Sequence, residues 1–234
     1  MKKPLKQHKS QNKPIQHFAL RNIQPLTQNQ KLTFQQYNHG MNLMLHGLAG
    51  SGKTYVSLYL ALEEILQKNS YDQIVIVRSV VPSRDMGFLP GNIKEKAKIY
   101  EEPYKMICDD LFGRGDGYDI LKNKNLIQFV TTSHLRGMTF KNAIIIVDEV
   151  QNMTGAECST VITRTGENCR LMFCGDFRQT DLKRNERGGF YDFMEVIKKM
   201  PSFTFIEFGL EDIVRSGLCK EFLTTMYELD INFL

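Results

Sequence analysis

Eight consecutive residues, Gly47-Leu48-Ala49-Gly50-Ser51-Gly52-Lys53-Thr54, fit the pattern G-x-x-x-x-G-K-[ST] without departure. Glycines let a backbone curl around a chain of phosphates, so that successive N–H groups point inward and the following helix adds the positive end of its dipole. In such a loop Lys53 reaches the β- and γ-phosphates and Thr54 offers its hydroxyl to Mg²⁺. Tyr55, the next residue, is counted among the nucleotide-contacting positions. A second group with matching chemistry lies about a hundred residues on, where the run Ala143-Ile144-Ile145-Ile146-Val147 ends in Asp148 and Glu149. A carboxylate there can hold Mg²⁺ through water, which is the role expected of Asp148. Its neighbour Glu149 can act as general base on an attacking water. The plain alternative is an acidic turn that caps a helix. Together the two groups predict a P-loop NTPase that binds a nucleoside triphosphate, ATP in the expected case, with Mg²⁺.

This chemistry needs a strand before the loop, a helix after it and a buried strand under the acidic pair. Each is legible. Leu43–His46 precedes the loop as a strand, and TYVSLYLALEEILQK follows with the apolar spacing of an amphipathic helix. Further strands are predicted over Ile74–Arg78, Leu126–Thr131, Ala143–Val147, Arg170–Cys174 and Phe203–Phe208. IVIVR and AIIIV are continuous and β-branched, as in strands buried on both faces. Strands alternating with helices predict an α/β fold with a mostly parallel central sheet between helical layers. A closing helix is expected near Glu211–Leu223. The stretch Asp109–Asn125, with GRGDGYD at its centre, reads as a surface excursion.

Composition limits the remaining possibilities. The 234 residues are 42% hydrophobic and 24% charged, ordinary values for a globular chain with one sizeable core. No apolar run approaches the ~20 residues that cross a bilayer. The basic N-terminus has no apolar stretch after its charges, unlike a secretory signal, so the expected location is cytoplasmic. Five cysteines (Cys108, Cys158, Cys169, Cys174 and Cys219) show no paired spacing, and reduced thiols in or near a core are expected. Net charge is +4, but eight of the 30 basic residues precede the first acidic residue, Glu63, leaving 22 against 26 afterwards. Residues 1–24 therefore read as a basic flexible arm and 25–234 as the ATPase domain. Such an arm either contacts a polyanion or is a solvated tail.

The ordered set of motifs resembles the PhoH family, phosphate-starvation-inducible, PhoH-like ATPases related to the first RecA-like domain of superfamily 1 helicases. Val147-Asp148-Glu149-Val150-Gln151-Asn152 and Gly175-Asp176-Phe177-Arg178-Gln179-Thr180-Asp181 carry most of the likeness. Gly87-Phe88-Leu89-Pro90-Gly91-Asn92, Thr163-Arg164-Thr165-Gly166, Ile213-Val214-Arg215 and Pro25-Leu26-Thr27-Gln28-Asn29-Gln30 add to it. So does Leu135-Arg136-Gly137-Met138-Thr139-Phe140, with Met138 where the family usually has Arg. The likeness runs from about Pro25 to Tyr227. It implies a single RecA-like three-layer domain, adenine recognition by Gln30, and a γ-phosphate role for Gln179, with Gln151 a weaker candidate that otherwise reads as a helix-surface residue. A side-chain amide can both donate and accept, as such roles require.

The resemblance also implies a partner domain that this chain has little room for. Superfamily 1 helicases place ATP between two RecA-like domains and take an arginine finger from the second. A head-to-tail ring, commonly a hexamer in this family, would supply the finger from a neighbouring copy. Arg164 is the preferred finger, with Arg136 and Arg215 as alternatives; each could equally be an exposed salt-bridge partner. Arg78, Arg84 and Lys94, with Phe88 or Tyr100 for stacking, are candidate contacts to RNA or single-stranded DNA, or else ordinary loop residues. The leading expectation is an ATP-hydrolysing, helicase-like motor. The alternatives are an ATP-switched assembly module without catalysis and a small-molecule kinase.

Overall fold

The computed structural model describes residues 19–79, 93–177, 184–229 and 231. Outside them lie Gln179, Arg84, Phe88, the 87–92 turn, the last four residues of the 175–181 motif and most of the basic arm; the Lys94 side chain is likewise outside the description.

Six strands form one sheet in the order β3-β2-β4-β5-β1-β6. They are β1 (Asn42–Gly47), β2 (Gln73–Arg78), β3 (Ile127–Thr131), β4 (Ala143–Asp148), β5 (Cys169–Gly175) and β6 (Phe203–Phe208). Every pairing among them is parallel, so all six C-terminal ends share one edge. The six strand predictions agree with these to within a residue or two. β-Branched runs explain the central members: in β4 all six residues are buried, as a strand covered on both faces requires.

Alternate strand residues feed two cores. On one face Leu43, Leu45, Ile74, Ile76, Ile144 and Ile146 pack under α1 (Gln28–Asn38), α2 (Lys53–Glu63), α3 (Ile93–Phe112) and α4 (Gly117–Asn123). On the other, Met44, Val75, Val77, Ile145, Val147 and Phe173 pack under α5 (Gly155–Thr163) and α6 (Arg184–Lys198). The result is a single three-layer α/β domain, with the parallel sheet between helical layers that the strand–helix alternation predicts. Among the described residues no helix is long and apolar enough to cross a membrane.

Three expectations need correction. The stretch Asp109–Asn125 is no surface excursion: α3 runs to Phe112, α4 follows, and Leu111, Tyr118 and Leu121 are buried in the first core. The glycines of GRGDGYD obscure the helical spacing of Tyr118 and Leu121. The closing helix, α7 (Gly217–Glu228), starts six residues later than expected. Before it, Leu210–Asp212 makes one 3₁₀ turn, because Asp212 turns back to accept from the Gly209 N–H at 2.9 Å and the Asn29 amide at 2.7 Å. The arm, finally, does not extend to residue 24. Leu20 and Ile23 pack on the first core, and the Arg21 N–H donates to the Leu111 carbonyl at 2.9 Å.

Helix α5, which follows the acidic pair, begins with a capping box. Thr154 Oγ1 accepts from the Glu157 N–H, and Glu157 accepts from the Thr154 N–H at 2.9 Å. Thr154→Ala is expected to lower unfolding free energy by about 1 kcal/mol, read from urea denaturation. Because the cap lies outside the loop, nucleotide affinity of the folded protein should not change.

Candidate functional site

The site forms where β1 and β4 end, on either side of β5. β1 runs into the loop at Gly47, whose φ of +122° only glycine adopts without strain. A Cβ there would also lie 2.1 Å from the Phe208 carbonyl oxygen, so the turn needs glycine twice over. Gly50 and Gly52 likewise have positive φ, of +77° and +82°.

Three outside elements grip the loop. The Leu48 N–H donates to the Phe208 carbonyl at 3.1 Å, and the Val214 N–H donates to the Gly50 carbonyl at 3.1 Å. The third grip is Gln30, on α1, which is 4% exposed. Its Nε2 donates to the Ser51 carbonyl at 3.0 Å, and its Oε1 accepts from the Leu26 N–H at 2.8 Å. Since a primary amide has two N–H donors, one remains for a ligand.

Lys53 opens α2 with its side chain folded back over the loop. Its ammonium donates to the Gly47 and Leu48 carbonyls, both at 2.8 Å, and to Ser51 Oγ at 3.1 Å. All three acceptors are neutral. Burial depresses the Lys53 pKa, while Asp176, Asp148 and Glu149 pull it back up. A buried cation held by neutral oxygens, inside a ring of glycine turns, fits a polyphosphate that would bring the missing negative charge.

Thr54 connects the two strand ends. Its hydroxyl donates to Asp148 Oδ1 at 2.8 Å. Tyr104, from α3, donates to Asp148 Oδ2 at 2.9 Å. Burial pushes the Asp148 carboxyl up and Glu149 adds to that; Thr54, Tyr104 and Arg78 oppose it. One hydroxyl and one carboxylate are too few donors for a closed metal cage, and among the described residues no group of three or more metal-binding side chains forms one. Such a set suits Mg²⁺, which takes one or two protein oxygens and completes its shell with water and phosphate.

Glu149 leaves β4 in the left-handed region, φ +53° and ψ +43°. For a residue with a Cβ that costs on the order of 1–3 kcal/mol and is a frequent mark of functional turns. Gln151 braces it: Nε2 donates to Glu149 Oε2, and Oε1 accepts from the Asp176 N–H at 3.1 Å. Gln151 is 4% exposed, so it is a buried tie between the ends of β4 and β5 and no helix-surface residue. A Cβ on Gly175 would stand 2.5 Å from Gln151 Oε1, which explains the glycine there.

Other expected residues fall elsewhere. The Tyr55 hydroxyl donates to Asp110 at 2.7 Å, turning its side chain toward α3 and away from the loop. Arg164 caps the C-terminus of α5, at the sheet edge opposite the loop, where its carbonyl accepts from the Phe140 N–H at 2.9 Å. Arg136 is exposed beyond β3. Arg215 lies beside the loop of its own chain: a Cβ on Gly50 would meet its Cγ at 2.7 Å. Arg78 faces inward, with its guanidinium 5.5 Å from the centre of the Tyr100 ring and against Tyr104. Tyr104 itself has no signal in the sequence, being a mid-helix aromatic far from any motif.

Comparison with known proteins places these features in context. A family model described as PhoH-like protein matches residues 22–228. Protein PhoH of Escherichia coli (strain K12) is 36% identical over 179 residues, 76% of this chain and 50% of that protein. A PhoH-like protein of Bacillus subtilis (strain 168) is 31% identical over 178 residues, 76% of this chain and 55% of that protein. The chain thus spans about half the length of these relatives. Among solved structures, Pif1 helicase from Candida albicans aligns with a TM-score of 0.43 at 14% identity, over 88% of this chain and 44% of that one. Bacteroides Pif1 bound to ssDNA aligns with a TM-score of 0.44 at 14% identity, over 88% and 47%.

The Gln151 tie is testable by stability. Gln151→Leu keeps much of the volume but removes the acceptor of the buried Asp176 N–H. Unfolding free energy should fall by about 1–3 kcal/mol in urea denaturation. A change within about 0.5 kcal/mol, typical of surface positions, would show that the tie is dispensable.

Proposed function

The chain belongs to the PhoH-like protein family, and on that premise we propose that it binds and hydrolyses ATP with Mg²⁺, as a cytoplasmic head-to-tail ring, a hexamer by family resemblance, acting on RNA or single-stranded DNA. One observation carries the catalytic reading: a buried lysine held by neutral acceptors, a Thr–Asp pair and a braced glutamate converge at one strand edge. Lys53 would exchange its loop carbonyls for phosphate oxygens. Thr54 and Asp148 would hold Mg²⁺, which when bound neutralises charge on the phosphate oxygens. Glu149, braced by Gln151, would orient the attacking water and take its proton. Gln30 would read adenine, its spare N–H donating to a ring nitrogen and the remaining lone pair of its Oε1 accepting from the exocyclic amine, which favours ATP over GTP.

Support for a polymer substrate is chiefly electrostatic. Eight basic residues precede the first acidic one, five of them before residue 14. An arm of that charge would bind phosphates with release of counterions, so affinity should fall steeply with salt. Arg78 lies over the Tyr100 ring at the end of β2, the pairing of cation and aromatic that a single strand would meet.

Steady-state hydrolysis, measured with and without single-stranded RNA or DNA, tests both halves. Turnover should rise with one polymer and lose that stimulation at higher salt. Lys53→Ala should abolish it. Glu149→Gln should retain nucleotide binding and lose at least about 100-fold in kcat. Turnover indifferent to either polymer would sink the motor half. Bound ATP with no turnover under any condition would favour a switched assembly module.

Arg164 stands at the edge opposite its own loop, and its buried Nε has no hydrogen-bond partner among the described residues. We assign it as the finger offered to a neighbouring copy, where it would add roughly 10³–10⁵ to the rate. Mixing Lys53→Ala with Arg164→Ala subunits should restore part of the turnover that each lacks alone, because some interfaces then pair an intact Lys53 with an intact Arg164. Mixed assemblies as inactive as the separate variants would refute the assignment.

A further inference from the structure

Tyr104 is fully buried on α3, with its ring 5.9 Å from that of Phe129. A buried tyrosine hydroxyl needs a partner, and any backbone carbonyl would serve. Here the partner is the carboxylate at the end of β4, approached on the oxygen that Thr54 does not use.

The arrangement has a direction. Arg78 and Asp148 are register partners at the ends of β2 and β4, and the Arg78 charge acts on Tyr104 and Asp148 alike. A guanidinium only donates and a carboxylate only accepts, so the tyrosine proton goes to Asp148. Chains of this kind polarise one another in a water-poor interior. They also restrict rotation. The terminal torsion of an aspartate is broad and nearly two-fold, so one hydrogen bond leaves the carboxylate free to swing. Hydrogen bonds to both oxygens, one from α2 and one from α3, hold its plane.

We infer that Tyr104, backed by Arg78, is a positioning residue for Asp148, fixing the carboxylate so that the oxygen shared with Thr54 faces the phosphate loop. The inference rests on Thr54 and Asp148 being the Mg²⁺ donors. It assigns the two residues no contact with nucleotide or metal. It also ties the end of β2 and the body of α3 to the geometry of the metal site, a link absent from the sequence motifs.

The probe is Mn²⁺, an oxygen-seeking stand-in for Mg²⁺, titrated into the protein–ADP complex and followed by electron paramagnetic resonance. ADP affinity is measured in parallel in EDTA. Tyr104→Phe keeps the ring and the packing on Phe129. It should weaken Mn²⁺ binding by about 10- to 100-fold, the range for loss of a group that orients a ligand, and leave metal-free ADP affinity unchanged. Arg78→Gln should shift Mn²⁺ affinity in the same direction by less, and adding it to Tyr104→Phe should produce no further loss. Unchanged Mn²⁺ affinity in Tyr104→Phe would overturn the inference, as would an equal loss of ADP affinity in EDTA, which indicates a merely structural role. Thr54→Ala and Asp148→Asn separate the two layers. If they lose Mn²⁺ affinity while Tyr104→Phe does not, positioning alone is refuted; if they too retain it, the donor assignment falls first. Should Tyr104→Phe fail to fold by circular dichroism, the Mn²⁺ affinity of Arg78→Gln decides, a loss supporting the inference and no change refuting it.

Discussion

Thr54 and Asp148 lie 94 positions apart in the chain and 2.8 Å apart in space, and the hydrogen bond between them depends on the order of the sheet. β5 alone separates β1 from β4, and every strand runs the same way. The loop that follows β1 and the acidic turn that follows β4 must then emerge on one edge, about 10 Å apart at the usual strand spacing. α2 leaves the loop and carries Thr54 across that gap. Reversing one of these strands, or inserting another between them, would separate the loop lysine from the carboxylates. An all-parallel sheet buried on both faces is the constraint from which the site follows, because only helical crossovers on both faces connect strands in that sense.

The second constraint is charge in a dry place. Lys53 and Asp148 are both buried, and burial pushes their ionisations in opposite directions, each toward the neutral form. The fold answers with donors and acceptors in place of ion pairs: carbonyls and a serine hydroxyl for the lysine, two hydroxyls for the aspartate. A charge satisfied in this way keeps its capacity for an opposite charge. A direct Lys53–Asp148 pair would answer each charge with the other and leave both less receptive to phosphate and metal.

The loop is also held from outside. Phe208 at the end of β6, Val214 before α7 and Gln30 on α1 each bond to a backbone group of the loop. Asp212 joins two of these elements through Asn29. Ends of the chain that look peripheral in sequence thereby set the shape of the phosphate-binding turn. This explains why the segment after β6 makes one 3₁₀ turn and then an extended stretch before α7 begins.

Much of this was legible beforehand because it is local. The P-loop pattern, the apolar run ending in Asp148 and Glu149, and the six strands are each written in contiguous residues whose types dictate their backbone. The sheet's parallel sense followed from the alternation of strands and helices. What the sequence did not disclose depends on pairing at a distance. Gln151 reads in the sequence as a weaker γ-phosphate candidate or a helix-surface residue; the neighbouring ends of β4 and β5 place it between Glu149 and Asp176. Arg78 reads in the sequence as a polymer contact or an ordinary loop residue; strand register sets it beside Asp148. Asp109–Asn125 looked like a loop because glycines masked two buried positions of α4. Short spacing determined the chemistry this chain carries; which side chains brace that chemistry was decided by strand order and helix docking, because hydrogen bonds between remote residues leave no period in a sequence.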